Sequence, residues 1–313
     1  MRMTKPEIVL IAGASEAWCG PVSKLVDDHL ESAIIDPALS FPEDLDVFSV
    51  KIMVASPQKA KVFAPRFPNL QWIQSTWAGI DALVGHLPRG ISVTPLKGVF
   101  GQAMSEFVLG WILGIERNII QRANATSWDA SAEKGVAGKM MGILGTGSIG
   151  SAIAAAVKPL GIQCRGMNST GKLVPSFDQC FKGGDAQFFK GLDYCVSVLP
   201  KTAATDCVLN TQAFAAMKDD AIVINVGRGN AIDNDALLEA LDNQTLRAAV
   251  LDVFTEEPLA DEHPFWQYPQ VFVTSHTSAP TAIDLVALAM RDNLHRYLAG
   301  DKLEGLYVEA KGY

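Results

Sequence analysis

The chain has 313 residues, of which 49% are apolar and 19% are charged, and its formal net charge is −8. Such a chain fits two domains of ordinary size and is too apolar to be disordered. Its acidic balance and its lack of a basic block argue against nucleic acid as a partner.

The first hundred residues alternate short apolar runs with helical stretches. The runs predict strands at 8–12, 33–35, 52–55, 72–75 and 91–94. The stretches between them predict helical segments at 21–30, 57–63 and 80–84. This alternation predicts a parallel sheet with helices on its faces.

A second series of the same kind lies between two longer helical patterns. Residues 101–122 predict one continuous helix, and residues 282–298 predict an amphipathic helix. Strands are predicted between them at 140–144, 163–167, 194–199, 221–226, 248–253 and 271–274, with helices at 210–217 and 234–241. Because a long helix flanks this series on each side, we expect the chain to cross twice between domains. The predicted division is a discontinuous domain at 1–99 and 282–313 and a continuous domain at 100–281.

A glycine-rich turn, Gly145-Thr146-Gly147-Ser148-Ile149-Gly150, joins an apolar strand to a helical pattern. In such a turn the first glycine makes the bend and the second lets backbone N–H groups approach a pyrophosphate. The third lets the helix and the strand pack closely. A glycine turn alone is a weak signal, but its place between a strand and a helix predicts a dinucleotide site.

Three residues with catalytic chemistry follow the turn, namely Arg228, Glu257 and His276. With a dinucleotide turn, these residues point to a hydride-transfer enzyme, and the planar fork of an arginine suits the carboxylate or carbonyl oxygen of a substrate. A histidine can protonate the forming alkoxide, and a buried Glu257 would stabilise the charged imidazole. The structural alternatives are a surface arginine, a histidine that only packs after a strand, and an exposed Glu257 in an acidic loop.

The end of the second strand in this series bears on the choice of cofactor. An NAD-binding unit usually has an acidic residue there, which binds the adenosine 2′-hydroxyl. This sequence has Asn168 at that position and no acidic residue between Gly150 and Asp178. The loop Asn168-Ser169-Thr170-Gly171-Lys172 instead offers amide, hydroxyl and ammonium groups to a 2′-phosphate. We therefore predict NADP as the preferred cofactor, with NAD as the alternative.

Further stretches are typical of one family. They are Ile224-Asn225-Val226-Gly227-Arg228-Gly229, Leu251-Asp252-Val253-Phe254 with Glu256-Glu257-Pro258, Ser275-His276-Thr277-Ser278, and residues 72–75 followed by Ala78-Gly79-Ile80-Asp81. With the glycine turn, they make the chain resemble the D-isomer-specific 2-hydroxyacid dehydrogenases, and more closely the glyoxylate/hydroxypyruvate reductase-like members. The resemblance implies an α/β protein of two doubly wound parallel-sheet domains. One would be a Rossmann cofactor domain and the other a flavodoxin-like substrate domain, with a cleft between them.

The same resemblance implies NAD(P)H-dependent reduction of a small 2-oxo acid, such as glyoxylate or hydroxypyruvate, to the D-2-hydroxy acid. Two alternatives stay open. One is a dinucleotide-sensing scaffold, like the corepressors that resemble this family. The other is a dehydrogenase of the same family for a bulkier 2-oxo acid.

The resemblance also assigns further residues to the site. Ala78 and Gly79 are implied to bind the substrate carboxylate through backbone N–H groups, while Trp77 either walls the pocket or packs in the core. Asp252 is implied to lie near the nicotinamide and to help hold Arg228 or the ring. The remaining residues of the implied cofactor site are Leu199, Pro200, Val226, Gly227 and His276.

Five cysteines without a CxxC pair indicate reduced, buried thiols in a cytoplasmic protein, and the sequence shows no zinc-ligand cluster. The apolar stretch at 107–115 is far below the roughly 20 residues that a membrane span requires. We expect a soluble protein that does not bind membranes. The resemblance implies a homodimer built on the helix at 101–122 and the loop around Trp128, although the same helix would also suit an interdomain core.

Overall fold

The structure of the chain, a computed structural model, describes residues 5–13, 16–87, 90–130, 133–280 and 284–308. Numbered along the chain, the strands are β1 (Ile8–Ile11), β2 (Ser32–Ile35), β3 (Ile52–Ala55), β4 (Trp72–Ser75), β5 (Ser92–Thr94), β6 (Met140–Leu144), β7 (Gln163–Asn168), β8 (Gln179–Lys182), β9 (Tyr194–Ser197), β10 (Ala221–Asn225), β11 (Leu246–Leu251) and β12 (Val271–Val273). The α-helices are α1 (Cys19–Asp27), α2 (Pro57–Phe63), α3 (Gly101–Glu116), α4 (Ile119–Ala123), α5 (Ser148–Val157), α6 (Thr211–Ala216), α7 (Asn234–Asp242) and α8 (Leu285–Ala299). The chain divides into two compact units, one from the described residues of 1–99 and 281–313 and the other from those of 100–280.

The first unit is built on a parallel five-stranded sheet. Its strand order is β2-β1-β3-β4-β5, which is the flavodoxin-like order. Every residue of β1, β3 and β4 is buried, because helices cover the faces of such a sheet. The carboxyl-terminal helix α8 packs against α1, and the Tyr297 hydroxyl donates to Gln71 Oε1 at 2.8 Å.

The second unit is built on a parallel seven-stranded sheet in the order β12-β11-β10-β9-β6-β7-β8. From the central pair β6 and β9, the chain runs outward to β8 on one side and to β12 on the other. One apolar cluster contains residues of α6 and α7, and another contains residues of α3 and α5. The predicted α/β class, with one flavodoxin-like and one Rossmann sheet, is confirmed. Ligands of such sheets bind beyond the carboxyl ends of the strands, where the strand order reverses.

Some predicted elements differ from the structure. The single helix predicted at 101–122 is wrong: Asn118, with a left-handed backbone at φ 49°, separates α3 from α4. The prediction also missed β8, a short edge strand that mixes polar and apolar residues. The segment predicted to be helical at 80–84 forms only a 3₁₀ turn. The predicted start of the last helix, residue 282, lies outside the described residues.

The cysteines differ in burial. Cys164 and Cys195 are buried, as predicted, whereas Cys207 is exposed. Burial raises the pKa of the Cys164 thiol to about 12, so this thiol stays protonated at neutral pH. No α-helix in the described part of the chain is both long enough and apolar enough to cross a membrane.

The turn between β6 and α5 brings two backbone segments into close contact. Gly145 has a φ of 102°, which glycine adopts without strain. A Cβ on Gly150 would lie 1.9 Å from the Gly145 carbonyl oxygen, whereas a Cβ on Gly147 would meet no atom within 4 Å. The packing of α5 against β6 therefore requires a glycine at position 150.

We expect Gly150→Ala to lower the melting temperature, because the added methyl group must displace the Gly145 carbonyl or shift α5. Overpacking of this kind reduces the free energy of unfolding by about 1–3 kcal/mol. Gly147→Ala is the matched control, since its methyl group enters open space and its φ of −69° suits alanine. Thermal denaturation followed by circular dichroism compares the two variants. Equal melting temperatures would contradict the packing role of Gly150.

Candidate active site

Loops at the carboxyl edge of the seven-stranded sheet carry most of the predicted site residues. The carboxyl ends of parallel strands meet at one edge, so residues that follow different strands lie on the same side of the unit. These residues are Thr146 after β6, Asn168 at the end of β7, Leu199 and Pro200 after β9, Val226, Gly227 and Arg228 after β10, Asp252 after β11, and His276 after β12.

The glycine turn presents backbone donors at the start of α5. Gly147 and Ser148 are exposed, and no group in the described part of the chain accepts a hydrogen bond from the Thr146 or Gly147 N–H. The ten-residue helix α5 adds partial positive charge at its first turn. The open space at the Cβ position of Gly147 lets a ligand approach the backbone. These features fit the pyrophosphate of a dinucleotide.

Asn168 organises the loop that follows β7. Its Oδ1 accepts hydrogen bonds from the N–H groups of Thr170 and Gly171 at 3.0 and 2.7 Å. Its Nδ2 donates to Thr146 Oγ1 at 3.1 Å and to the Lys172 carbonyl at 3.0 Å. The asparagine therefore ties this loop to the glycine turn, while the other polar side chains of the loop are exposed.

Arg228 lies between two glycines because the backbone on both sides of it is closely packed. A Cβ on Gly227 would lie 2.6 Å from the Leu199 nitrogen, and a Cβ on Gly229 would lie 2.0 Å from the Phe254 carbonyl carbon. The loop is thus held between the loops that follow β9 and β11. Arg228 is half-buried, and its Nη1 donates to the Gly227 carbonyl at 2.7 Å.

A buried asparagine supports the same loop, and no role was predicted for it. Asn225 is 0% exposed, its Nδ2 donates to the Arg228 carbonyl at 2.9 Å, and its Oδ1 accepts the Gly227 N–H at 3.2 Å. The sequence signal for this role is a polar residue that ends an apolar strand. A buried amide needs hydrogen-bond partners, and the following loop supplies them.

His276 and Glu257 form a direct pair. Nδ1 of His276 lies 2.9 Å from Oε2 of Glu257, and Oε1 of Glu257 accepts the Phe254 N–H at 2.9 Å. An ionised carboxylate only accepts hydrogen bonds, so Nδ1 is the donor in this contact and Nε2 takes no part in it. The predicted burial of Glu257 is wrong. Its side chain is 37% exposed and that of His276 is 47% exposed, because both lie on loops beyond the strand ends.

Asp252 fixes the loop that carries His276. Its fully buried carboxylate accepts hydrogen bonds from Thr274 Oγ1 at 2.6 Å and from the N–H groups of Thr277 and Ser278 at 2.8 and 3.0 Å. Its carbonyl accepts the His276 N–H at 2.8 Å. His276 has a left-handed backbone with φ 55°, a conformation that costs roughly 1–2 kcal/mol. The four hydrogen bonds hold the loop in that conformation. The contact of Asp252 with Arg228 or the nicotinamide stays a prediction.

The predicted substrate loop follows β4 in the first unit. Ser75 Oγ accepts the Trp77 N–H at 3.0 Å and donates to the Trp77 carbonyl at 2.9 Å, which makes a tight turn. Trp77 is 45% exposed, so ordinary core packing is the wrong interpretation. Among the residues that the structure describes, none accepts a hydrogen bond from the N–H of Ala78 or Gly79. Both donors are therefore available to a carboxylate.

Comparisons with known proteins agree with these features. The model of the D-isomer specific 2-hydroxyacid dehydrogenase NAD-binding domain matches residues 109–278. The glyoxylate/hydroxypyruvate reductase A of Serratia proteamaculans is 30% identical over 260 residues, which cover 78% of this chain and 82% of that protein.

Solved structures are similar over almost the whole chain. A D-isomer specific 2-hydroxyacid dehydrogenase from Xanthobacter autotrophicus Py2, in complex with NADPH and MES, is 29% identical with a TM-score of 0.88 and covers 99% of this chain and 100% of that one. The NADPH-dependent glyoxylate/hydroxypyruvate reductase from Sinorhizobium meliloti, in complex with NADP and sulfate, is 25% identical with a TM-score of 0.83 and covers 98% of this chain and 100% of that one. The chain therefore belongs to the D-isomer-specific 2-hydroxyacid dehydrogenase family and is an NAD(P)-dependent oxidoreductase.

Proposed function

We propose that this dehydrogenase reduces a small 2-oxo acid of the glyoxylate or hydroxypyruvate class to the D-2-hydroxy acid, with NADPH preferred over NADH. The observation that carries the proposal is the His276–Glu257 pair, which shares a sheet edge with Arg228 and the glycine turn. Reduction of a 2-oxo acid needs a guanidinium, an oriented imidazole and a dinucleotide-binding turn. Relatives named as glyoxylate/hydroxypyruvate reductases and structures that contain NADPH or NADP support the same chemistry.

Arg228 is the proposed substrate-binding cation. Two N–H groups of its fork can hold the carboxylate and the carbonyl oxygen together, and they stabilise the negative charge that develops on that oxygen. Because Asn225 and the flanking glycines fix the backbone, little freedom is lost when the substrate binds. The chain carries a net charge of −8, so the local guanidinium, not the overall field, must attract an anionic substrate.

His276 is the proposed proton donor. Glu257 holds its Nδ1 proton, which fixes the tautomer, stabilises the imidazolium and leaves the Nε2 proton for the substrate oxygen. A bound reduced nicotinamide supplies a hydride for carbon 2. The hydride and the proton together convert the carbonyl group into the hydroxyl group.

The remaining predicted residues keep their roles as proposals. Thr146, Gly147 and Ser148 would hold the pyrophosphate, and the loop at 168–172 would receive a 2′-phosphate. No carboxylate occurs in that loop to repel the phosphate. The free N–H groups of Ala78 and Gly79 are the proposed additional ligands of the substrate carboxylate.

A homodimer and a cytoplasmic location are also proposed. Trp128 is 94% exposed, and an apolar side chain so open to water marks a candidate contact surface. Its loop is held by Arg122, which forms ion pairs with Asp129 and Glu133. The free cysteines fit a reducing compartment.

A panel of 2-oxo acids assayed with both cofactors tests the proposed reaction. We expect the highest kcat/KM with glyoxylate or hydroxypyruvate, a higher value with NADPH than with NADH, and D-glycerate as the product from hydroxypyruvate. A preference for a bulkier 2-oxo acid would contradict the substrate class. A higher kcat/KM with NADH would contradict the cofactor preference. If no 2-oxo acid oxidised NADPH, the dinucleotide-sensing scaffold would be favoured instead.

His276→Ala should lower kcat by about 10²–10⁴-fold, because the proton donor is removed while the dinucleotide-binding turn is untouched. The dissociation constant for NADPH, measured by fluorescence titration, should change little. Glu257→Gln is the companion variant, since it keeps the shape of the side chain but loses the charge that stabilises the imidazolium. We expect it to lower kcat less than His276→Ala does. A kcat of His276→Ala close to that of the wild type would remove its assigned role.

Arg228→Ala should raise KM for the 2-oxo acid and lower kcat, since the guanidinium is proposed to act in both the ground state and the transition state. Loss of a charge-assisted contact corresponds to about tenfold or more in each parameter. Arg228→Lys is the control, because it keeps the charge and loses the fork. We expect its KM to lie between those of the wild type and Arg228→Ala, and its kcat to stay close to that of Arg228→Ala. Steady-state kinetics that place Arg228→Ala within twofold of the wild type would argue against the role.

A further inference from the structure

We propose that Lys182, at the end of β8, is a second cation that recognises the 2′-phosphate of NADPH. This inference rests on the proposed preference for NADPH and adds a specificity-determining residue outside the predicted loop. Within that loop, Lys172 is the only cation. A phosphomonoester carries a charge of about −1.5 to −2 at pH 7, so one ammonium group leaves much of it uncompensated.

The register of the sheet places Lys182 beside Asn168. β7 and β8 are parallel, and Asn168 pairs with Lys182. Side chains alternate between the two faces of a sheet, so partners in register point to the same face. Cys164 on β7 and Cys180 on β8 both pack with the apolar cluster that contains residues of α5. Asn168 and Lys182, at even spacings from these cysteines, therefore also face the side of α5 and its glycine turn.

The predicted loop packs directly against Lys182. A Cβ on Gly171 would lie 3.2 Å from the Lys182 Cβ, and the Gly183 N–H donates to the Asn168 carbonyl at 2.9 Å. Neighbouring strands are about 4.8 Å apart. The four-carbon stem of a lysine spans such a gap, so the ammonium group can reach a phosphate bound on the loop at 168–172.

The charge around Lys182 leaves it available to an anion. Lys182 is exposed, and in the part of the chain that the structure describes neither it nor Lys172 forms an ion pair with a carboxylate. The acidic residues that flank β8 have other partners. Asp178 pairs with Lys158 at 2.8 Å, and Asp185 accepts the Gln187 N–H at 3.0 Å. Two lysines without a carboxylate ion pair in the described part of the chain are thus present, Lys172 in the loop that Asn168 organises and Lys182 on the strand beside it.

The experiment compares Lys182→Met with Lys190→Met. Lys190 is also exposed, but its carbonyl accepts a hydrogen bond from Arg165, three residues before Asn168 on β7, so it lies away from the loop. Calorimetric titration compares adenosine 2′,5′-bisphosphate with adenosine 5′-monophosphate. The two probes differ only in the 2′-phosphate, so the difference in their affinities reports recognition of that group. We expect Lys182→Met to weaken binding of the bisphosphate about tenfold and to leave the monophosphate within twofold. Lys190→Met should change neither. The same tenfold loss is expected in kcat/KM for NADPH but not for NADH.

The outcomes distinguish this inference from the proposal on which it rests. If the wild type bound both probes equally, the preference for NADPH and the role of Lys182 would fall together. If the wild type preferred the bisphosphate and Lys182→Met kept that preference, only the role of Lys182 would fall. If Lys182→Met weakened the binding of both probes equally, the role of Lys182 would also be overturned, because the variant would then affect the site as a whole and not the 2′-phosphate. A double variant with Lys172→Met should lose more of the preference than either single variant.

Discussion

The position of His276 depends on the buried carboxylate of Asp252. A carboxylate removed from water is tolerated only when its oxygens accept hydrogen bonds, and here the donors come from residues 274–278. A different loop conformation would leave this charge without donors, at a cost larger than the roughly 1–2 kcal/mol of a left-handed residue. The burial of Asp252 therefore maintains the left-handed backbone at His276, whose imidazole contacts Glu257.

Backbone contacts between neighbouring loops hold the Arg228 loop in place at the carboxyl edge of the seven-stranded sheet. Gly227 touches the loop after β9, and Gly229 touches the loop after β11, at distances that leave no room for a side chain. Arg228 is thus the one side chain that projects from a segment packed on both sides, and Asn225 fixes its carbonyl from within the sheet. Because this backbone cannot shift without breaking several contacts, it fixes the point from which the Arg228 side chain extends.

The sequence predicts the parts of this arrangement that are local. The glycine turn and the residues at strand ends were predictable, because short motifs encode turns and parallel strands share one carboxyl edge. Long-range pairing was not predictable. Glu116 is 1% exposed, accepts a hydrogen bond from the Tyr194 hydroxyl at 2.8 Å and forms an ion pair with Arg247 at 3.1 Å. These partners lie 78 and 131 positions away along the chain. The break at Asn118 and the exposure of Glu257 likewise depend on tertiary packing, which no local pattern contains.

The two ends of the proposed dinucleotide site rely on different physics. At the pyrophosphate end, the proposed contacts come from backbone N–H groups and the start of α5. There Gly145 has a positive φ, and a Cβ on Gly150 would clash with the Gly145 carbonyl. At the adenosine end, the proposed contacts come from exposed side chains on the loop at 168–172 and on the edge strand β8. Substitution of these side chains disturbs no apolar core. Charge can therefore be added or removed at the adenosine end while the fold and the proposed catalytic residues stay unchanged. Discrimination between NADPH and NADH should reside there, in Lys172 and Lys182, and not in the glycine turn.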